Sequence, residues 1–193
     1  MIAAVVLAAG FSRRMGRDKL TLPLDGVLMY RKTVDLIAKY HFSTRILVTN
    51  QPGIAAYARE QGFTVVPSPR AAQGMGCSVA AGAAALPADC CGAMFLNADQ
   101  PFLTEAELDA LCRAFRADGK IIVPTVADKP CSPCVFPRRY FAALAALDGE
   151  RGGRAVYRVH PEDTRFLPMP DGAPFRDVDE PAAYEEASAE FLK

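Results

Sequence analysis

Ile2-Ala3-Ala4-Val5-Val6-Leu7-Ala8-Ala9-Gly10-Phe11-Ser12-Arg13-Arg14-Met15-Gly16-Arg17-Asp18-Lys19 reads in two parts. Ile2 to Ala9 is apolar without alternation, the pattern of a strand buried on both faces. At Gly10 it gives way to a glycine-punctuated loop with four cations, Arg13, Arg14, Arg17 and Lys19, against one anion, Asp18. Ala8, Ala9 and Gly10 let a backbone approach a ligand closely. Backbone N–H groups combined with Arg and Lys make an anion cradle. A loop of solvated charges is the plainer reading. The position directly after a first strand favours phosphate, because open α/β sheets bind ligands outside the carboxyl ends of their strands. Two phosphate loops are excluded. G-x-G-x-x-G does not fit, since five residues separate Gly10 from Gly16. A P-loop needs Lys-Ser/Thr after its second glycine, and Gly16 is followed by Arg17-Asp18. Hydride transfer and P-loop ATPase chemistry lose their main warrant.

Working outward, short apolar runs alternate with amphipathic stretches. Tyr30 to Tyr40 predicts a helix with Val34, Ile37 and Ala38 on one face. Arg45–Thr49 predicts a strand, Gly53–Gln61 a helix, and Phe63–Val66 a strand closed by Pro67 and Pro69. Ser78–Leu86 predicts an alanine-rich helix, Gly92–Leu96 a strand, and Thr104 with Glu107 the start of a helix running to about Ala117. Ile121–Val123 predicts a strand stopped by Pro124. After Pro137 a helix carries Tyr140, Phe141, Leu144 and Leu147, and Asp179 with Pro181 opens a last helix. Alternation of this kind predicts an α/β fold with a mostly parallel central sheet and helices on both faces. The last third is less regular and predicts a β-excursion before the closing helix. The loops to search for a site follow Ala9, Val66, Leu96 and Pro124.

Composition narrows the classes. The 193 residues carry 22 Lys+Arg and 22 Asp+Glu, 51% hydrophobic and 23% charged. That length fits one domain, residues 1–193. Zero net charge argues against a nucleic-acid-binding protein. No apolar run approaches the roughly 18 residues of a membrane span. Arg13 and Arg14 follow the apolar start rather than precede it, the wrong order for a signal peptide; a cytoplasmic protein is expected. The six cysteines then read as reduced thiols. Cys131-Ser132-Pro133-Cys134 is a lone C-x-x-C with no second pair, and His41 and His160 are far apart. An incidental pair of thiols is the simplest reading, ahead of metal or redox work.

Three further segments carry chemistry. Asn97-Ala98-Asp99-Gln100-Pro101 follows a strand, so Asp99 points into the same crevice as the first loop and suits a hard divalent cation; a helix-entry turn is the alternative. In Arg176-Asp177-Val178-Asp179, Asp177 and Asp179 point the same way on an extended chain and offer a second metal carboxylate. Asp179 fits equally as a helix N-cap. Gln73-Gly74-Met75-Gly76-Cys77-Ser78 lies between a strand and a helix and suits contact with a base edge or ribose.

Taken together, Leu7 to Lys19 matches L-A-A-G-x-S-x-R-M-G-x-x-K at every specified position. This resembles the opening motif of the MobA-like family of small nucleotidyltransferases, which have a Rossmann-like, glycosyltransferase-A-type three-layer fold. The chain is most similar to the family's molybdenum cofactor cytidylyltransferase branch. Gln73–Ser78 resembles that branch's base-side loop and Asp99-Gln100-Pro101 its metal motif. Gly149-Glu150-Arg151-Gly152-Gly153-Arg154 resembles its G-D-x-G-[AG]-R stretch, and Asp177-Val178-Asp179-Glu180-Pro181 its closing motif. Glu150 and Glu180 depart mildly. Pro130-Cys131-Ser132-Pro133 stands in place of R-G-N-P, on the expected acceptor side.

The resemblance implies transfer of CMP from CTP to a molybdopterin phosphate, with release of pyrophosphate. The receiving partner would be a molybdoenzyme or its maturation chaperone, with no nucleic acid or membrane involved. Arg14 and Lys19 would neutralise the leaving pyrophosphate. Mg²⁺ (or Mn²⁺) would be held by Asp99 with Asp177 or Asp179. Ala9, Gly10, Gln73, Gly74 and Ser78 would read base and ribose, and Arg154 and Ser132 would face the acceptor. Charge agrees: an anion must attack an anionic triphosphate, and positioned cations lower that barrier. The loops contain no histidine and no evident general base. A phosphate acceptor, with a second pKa of roughly 6, needs none. Three alternatives stand beside this reading. One is the same fold with GTP, another nucleotide or another phosphate acceptor. Another is a sugar transferase using Asp177-Val178-Asp179 as D-x-D. The last is a non-catalytic carrier of the finished cofactor.

Overall fold

The computed structural model describes residues 1–10, 18–178 and 180–191. The chain runs β1 (Ile2–Leu7), β2 (Pro23–Leu24), β3 (Val27–Leu28), α1 (Met29–Lys39), β4 (Thr44–Val48), α2 (Pro52–Glu60), β5 (Thr64–Val66), α3 (Met75–Ala84), β6 (Gly92–Asn97), α4 (Glu105–Asp118), β7 (Ile121–Val126), β8 (Lys129–Pro130), β9 (Cys134–Pro137), α5 (Phe141–Ala145), α6 (Arg154–Val159), β10 (Thr164–Pro168) and α7 (Pro181–Phe191). The main sheet has the order β10-β7-β9-β6-β1-β4-β5, with β8 paired to β7. All its ladders are parallel except those of β8 and β9. The expected α/β architecture with a mostly parallel central sheet is therefore present.

β1 lies between β4 and β6, and its alternation sorts side chains into two layers. Ala4 and Val6 face one core with Val34 and Ile37 of α1, Ile54 of α2 and Leu108 and Leu111 of α4. Ala3 and Val5 face the other with Val79 and Ala83 of α3, Leu144 of α5 and Val156 of α6. Each fully buried Val or Leu contributes about 1.5–3 kcal/mol, which is why an unalternating apolar run makes a central strand. The small residues of α3 have a packing reason: a side chain on Gly82 would collide with Val5 and Val48 beneath it. α4 begins where the sequence predicts. Thr104 accepts from Ala106 N–H and Glu107 reaches back to Thr104 N–H, a full capping box. No helix among the described residues is long and apolar enough to cross a membrane.

Three expectations need correction. α3 starts at Met75 rather than Ser78, because Gly74, at φ +133°, supplies a turn no other residue adopts easily. β7 runs through Pro124 instead of stopping there. The missing N–H falls where β7 passes from pairing with β9 at Ile122 to pairing with β8 at Thr125. The β-excursion is more central than expected. Cys134–Pro137 inserts antiparallel between β6 and β7, with Val135 and Phe136 buried.

The β7–β8 hairpin turns through Ala127 (φ 47°) and Asp128 (φ 62°), both left-handed. The β2–β3 hairpin makes the same kind of turn with Asp25-Gly26 (φ 53° and 70°), the residue pair that such turns favour. A left-handed alanine costs about 1–2 kcal/mol. Ala127→Asn is therefore expected to stabilise the protein by about 0.5–1 kcal/mol. A urea midpoint raised at unchanged slope would register the gain; an unmoved or lowered midpoint would refute it.

Candidate active site

From β1 the chain winds outward through β4 to β5, then returns through α3 to β6 on the other side of β1. The order reverses between β1 and β6, and at such a switch point the carboxyl ends diverge and leave a crevice. Leu7 is opposite Asn97 in register, and Ala98 N–H donates to Leu7 O at 3.0 Å. Ala8-Ala9-Gly10 and Ala98-Asp99 thus leave the sheet side by side.

Lys19 returns to this crevice in a single 3-10 turn. Asp18 caps the turn by accepting from Leu20 N–H at 3.2 Å, and buried Leu20 anchors it. Lys19 Nζ donates to Asp99 Oδ2 in an ion pair. The two side chains are only 12% and 15% exposed, so little water screens their charges. Two residues eighty positions apart, predicted separately from sequence, meet at the switch point. Arg13, Arg14 and Arg17 lie outside the described residues.

The third segment arrives on the same spot. Val178 N–H donates to Asp99 O at 3.1 Å, which brings Asp177 beside the Asp99 turn; Asp179 lies outside the described residues. Gln100, to which the sequence assigns no role of its own, joins the loops. Its Nε2 donates to Ser132 O at 3.0 Å and to Phe175 O at 3.3 Å. Cys131 has Asp177 as its charged neighbour; burial and then that carboxylate push its thiol up to about 11. Burial pushes the Cys134 thiol up to about 12. All six cysteines are free thiols. Tyr157 is raised by burial and then by Cys134, with Arg154 opposing. Arg154 is exposed at the start of α6.

The other half of the crevice is a hydrogen-bonded frame. Ala9 is buried and Gly10 exposed. Thr49 Oγ1, just past β4, donates to Ala8 O at 3.0 Å. Asn50 and Ser68 exchange bonds, Nδ2 to Ser68 O at 2.8 Å and Ser68 N–H to Oδ1 at 2.9 Å. Ser78 is buried, its hydroxyl 3.3 Å from that of Ser68, while Gln73 is exposed. The glycines have a neighbour in the protein itself. Gly76 N–H donates to Gly149 O at 2.8 Å, and a Cβ on Gly74 or Gly76 would strike the backbone of residues 148–151. The two motifs therefore form one wall.

Asp99 and Asp177 offer carboxylate oxygen donors on adjoining segments. Such a donor set fits a hard divalent cation, which commonly takes one or two carboxylates and completes its shell from phosphates and water. Among the described residues no three His, Cys, Asp or Glu side chains gather as a protein-only metal cluster.

Comparison with known proteins agrees with the fold. The model of the MobA-like NTP transferase domain matches residues 4–164. A probable molybdenum cofactor guanylyltransferase of Mycobacterium ulcerans is 30% identical over 188 residues, covering 92% of this chain and 88% of that protein. The crystal structure of Rv0371c from Mycobacterium tuberculosis H37Rv superposes with a TM-score of 0.81 at 29% identity, covering 97% of both chains. A manganese complex of Rv0371c superposes at 0.74 with 26% identity, covering 97% of this chain and 98% of that one. With the family model spanning the sheet from β1 to the start of β10, this chain belongs to the MobA-like NTP transferases.

Proposed function

We propose that this chain transfers GMP from GTP to the phosphate of molybdopterin, releasing pyrophosphate, with residues 1–193 acting as one nucleotidyltransferase domain. The observation that carries the reaction class is the meeting of Lys19 and Asp99 at the switch point of the sheet. The base is argued from kinship. The 30%-identical Mycobacterium ulcerans relative is a probable molybdenum cofactor guanylyltransferase, which favours GTP over the CTP implied by the resemblance to the cytidylyltransferase branch.

In this reading Lys19, assisted by Arg14, meets charge on the departing pyrophosphate. Asp99 and Asp177, with Asp179 as the further candidate, would hold a divalent cation. When bound, such an ion neutralises charge across phosphate oxygens. Its use is supported by the manganese complex of Rv0371c; Mg²⁺ fits the same donors. Ala9, Gly10, Gln73, Gly74 and Ser78 frame the base and ribose side, and Arg154 and Ser132 the acceptor side. The acceptor phosphate is already deprotonated at neutral pH, so the residues only have to orient it and offset its repulsion from the triphosphate.

Pyrophosphate release with GTP and with CTP, each with molybdopterin and Mg²⁺ or Mn²⁺, tests the proposal. A kcat/KM for GTP at least about tenfold above that for CTP is expected, a modest demand for hydrogen-bonded base selection. A preference for CTP would return the chain to the cytidylyl reading. Release with neither nucleotide would remove the transferase reading.

A further inference from the structure

Gln100 is a polar side chain almost wholly shut off from solvent. It is 1% exposed, and its two amide protons go to two backbone carbonyls from distant loops, Ser132 O at 3.0 Å and Phe175 O at 3.3 Å. Its Oε1 is buried and accepts no hydrogen bond among the described residues. An apolar side chain of similar length would spare that one acceptor but take the donors away from both carbonyls, so glutamine is accounted for by its two N–H groups. The backbone of the turn is fixed independently, since Thr33 Oγ1 donates to Ala98 O at 3.3 Å. The amide is therefore spent on the two loops, which lead to Ser132 on one side and Asp177 on the other. No other natural side chain of this length presents two protons from one nitrogen without a charge; glutamate presents only acceptors.

We propose that Gln100 is a positioning residue, holding the Ser132 and Asp177 loops in place around Asp99 so that acceptor and cation sites form together. The inference rests on the function proposed above for the meaning of those sites. The bracing itself is readable without turnover.

Gln100→Met keeps length and volume and removes both donors; Gln100→Glu replaces them with acceptors facing two carbonyls. Three readouts on the full chain separate the outcomes. Amide hydrogen exchange should quicken at 131–134 and 175–178 in both variants, with β1, β4 and β6 unchanged. Mn²⁺ titration without nucleotide, followed by electron paramagnetic resonance, should show affinity about tenfold weaker, the usual scale for losing a residue that orients metal ligands. In turnover the acceptor KM should rise more than kcat falls. Unchanged exchange at both loops in a folded Gln100→Met protein would overturn the bracing, whatever the activity. Faster exchange with unchanged Mn²⁺ affinity and acceptor KM would overturn the positioning role and leave Gln100 purely structural. If the wild type released no pyrophosphate from any nucleotide, the function would fall. Exchange and Mn²⁺ titration would then still decide the bracing.

Discussion

Asp99→Ala should lower turnover at least about a hundredfold, the scale of losing one group that stabilises transition-state charge. Asp99 lies at the carboxyl end of β6, pairs with Lys19 and accepts Val178 N–H on its backbone. It is thus the point where the three segments join. Truncation also leaves Lys19 with a largely buried charge that Asp99 no longer balances. Breaking a buried pair costs about 3–5 kcal/mol, so misfolding could mimic lost catalysis. Asp99→Asn answers this, because it keeps the shape and can still accept from Lys19 but carries no charge. Steady-state pyrophosphate release beside a thermal melt separates the effects. The expected result is a near-native melt with the hundredfold loss retained. Near-normal activity in Asp99→Asn would remove the carboxylate from the mechanism.

Lys19→Ala should also cost about a hundredfold, or about 2.7 kcal/mol of barrier. Here the loss should fall on both kcat and the KM for the nucleotide, because a cation facing phosphates acts in the bound and the transition state. Lys19→Met controls for packing by retaining most of the aliphatic stem. Lys19→Arg restores the charge but brings a broader, planar head into a side-chain site only 12% exposed, so partial recovery is expected. Equal kinetics for Lys19→Met and wild type would contradict the assignment.

The fold was legible because β1 and β6 are buried on both faces and have no polar alternation to confuse the pattern. The capping box at Thr104 was legible for a local reason, the spacing to Glu107. β9 was not: the three residues between Pro133 and Pro137 are too few to show a period, and the C-x-x-C that leads into them reads first as metal or redox chemistry. Asp25-Gly26 is a hairpin pair whose flanking strands, two residues each, are too short to show a period. Within the site, Lys19 and Asp99 were visible because each directly follows, or loops back to, the end of a buried strand. Thr49-Asn50-Gln51 after β4 carries no charge to mark it, yet Thr49 and Asn50 hold two neighbouring loops in place. Gln100 has no local sequence signal beyond its place beside Asp99. Its role depends on carbonyls of Ser132 and Phe175, and residue types cannot announce which backbone atoms will converge. The glycines at 74 and 76 also answer to a packing need that their local sequence does not show, since the backbone of residues 148–151 lies directly against them.

A crystal structure with a nonhydrolysable GTP analogue and Mn²⁺, with manganese located by anomalous scattering, bears most directly on the Lys19–Asp99 site. The ion should sit within about 2.3 Å of an Asp99 carboxylate oxygen and of a phosphate oxygen, with Lys19 Nζ in hydrogen-bond reach of the same triphosphate. Manganese bound away from Asp99, or a triphosphate lying beyond the reach of Lys19, would contradict the account.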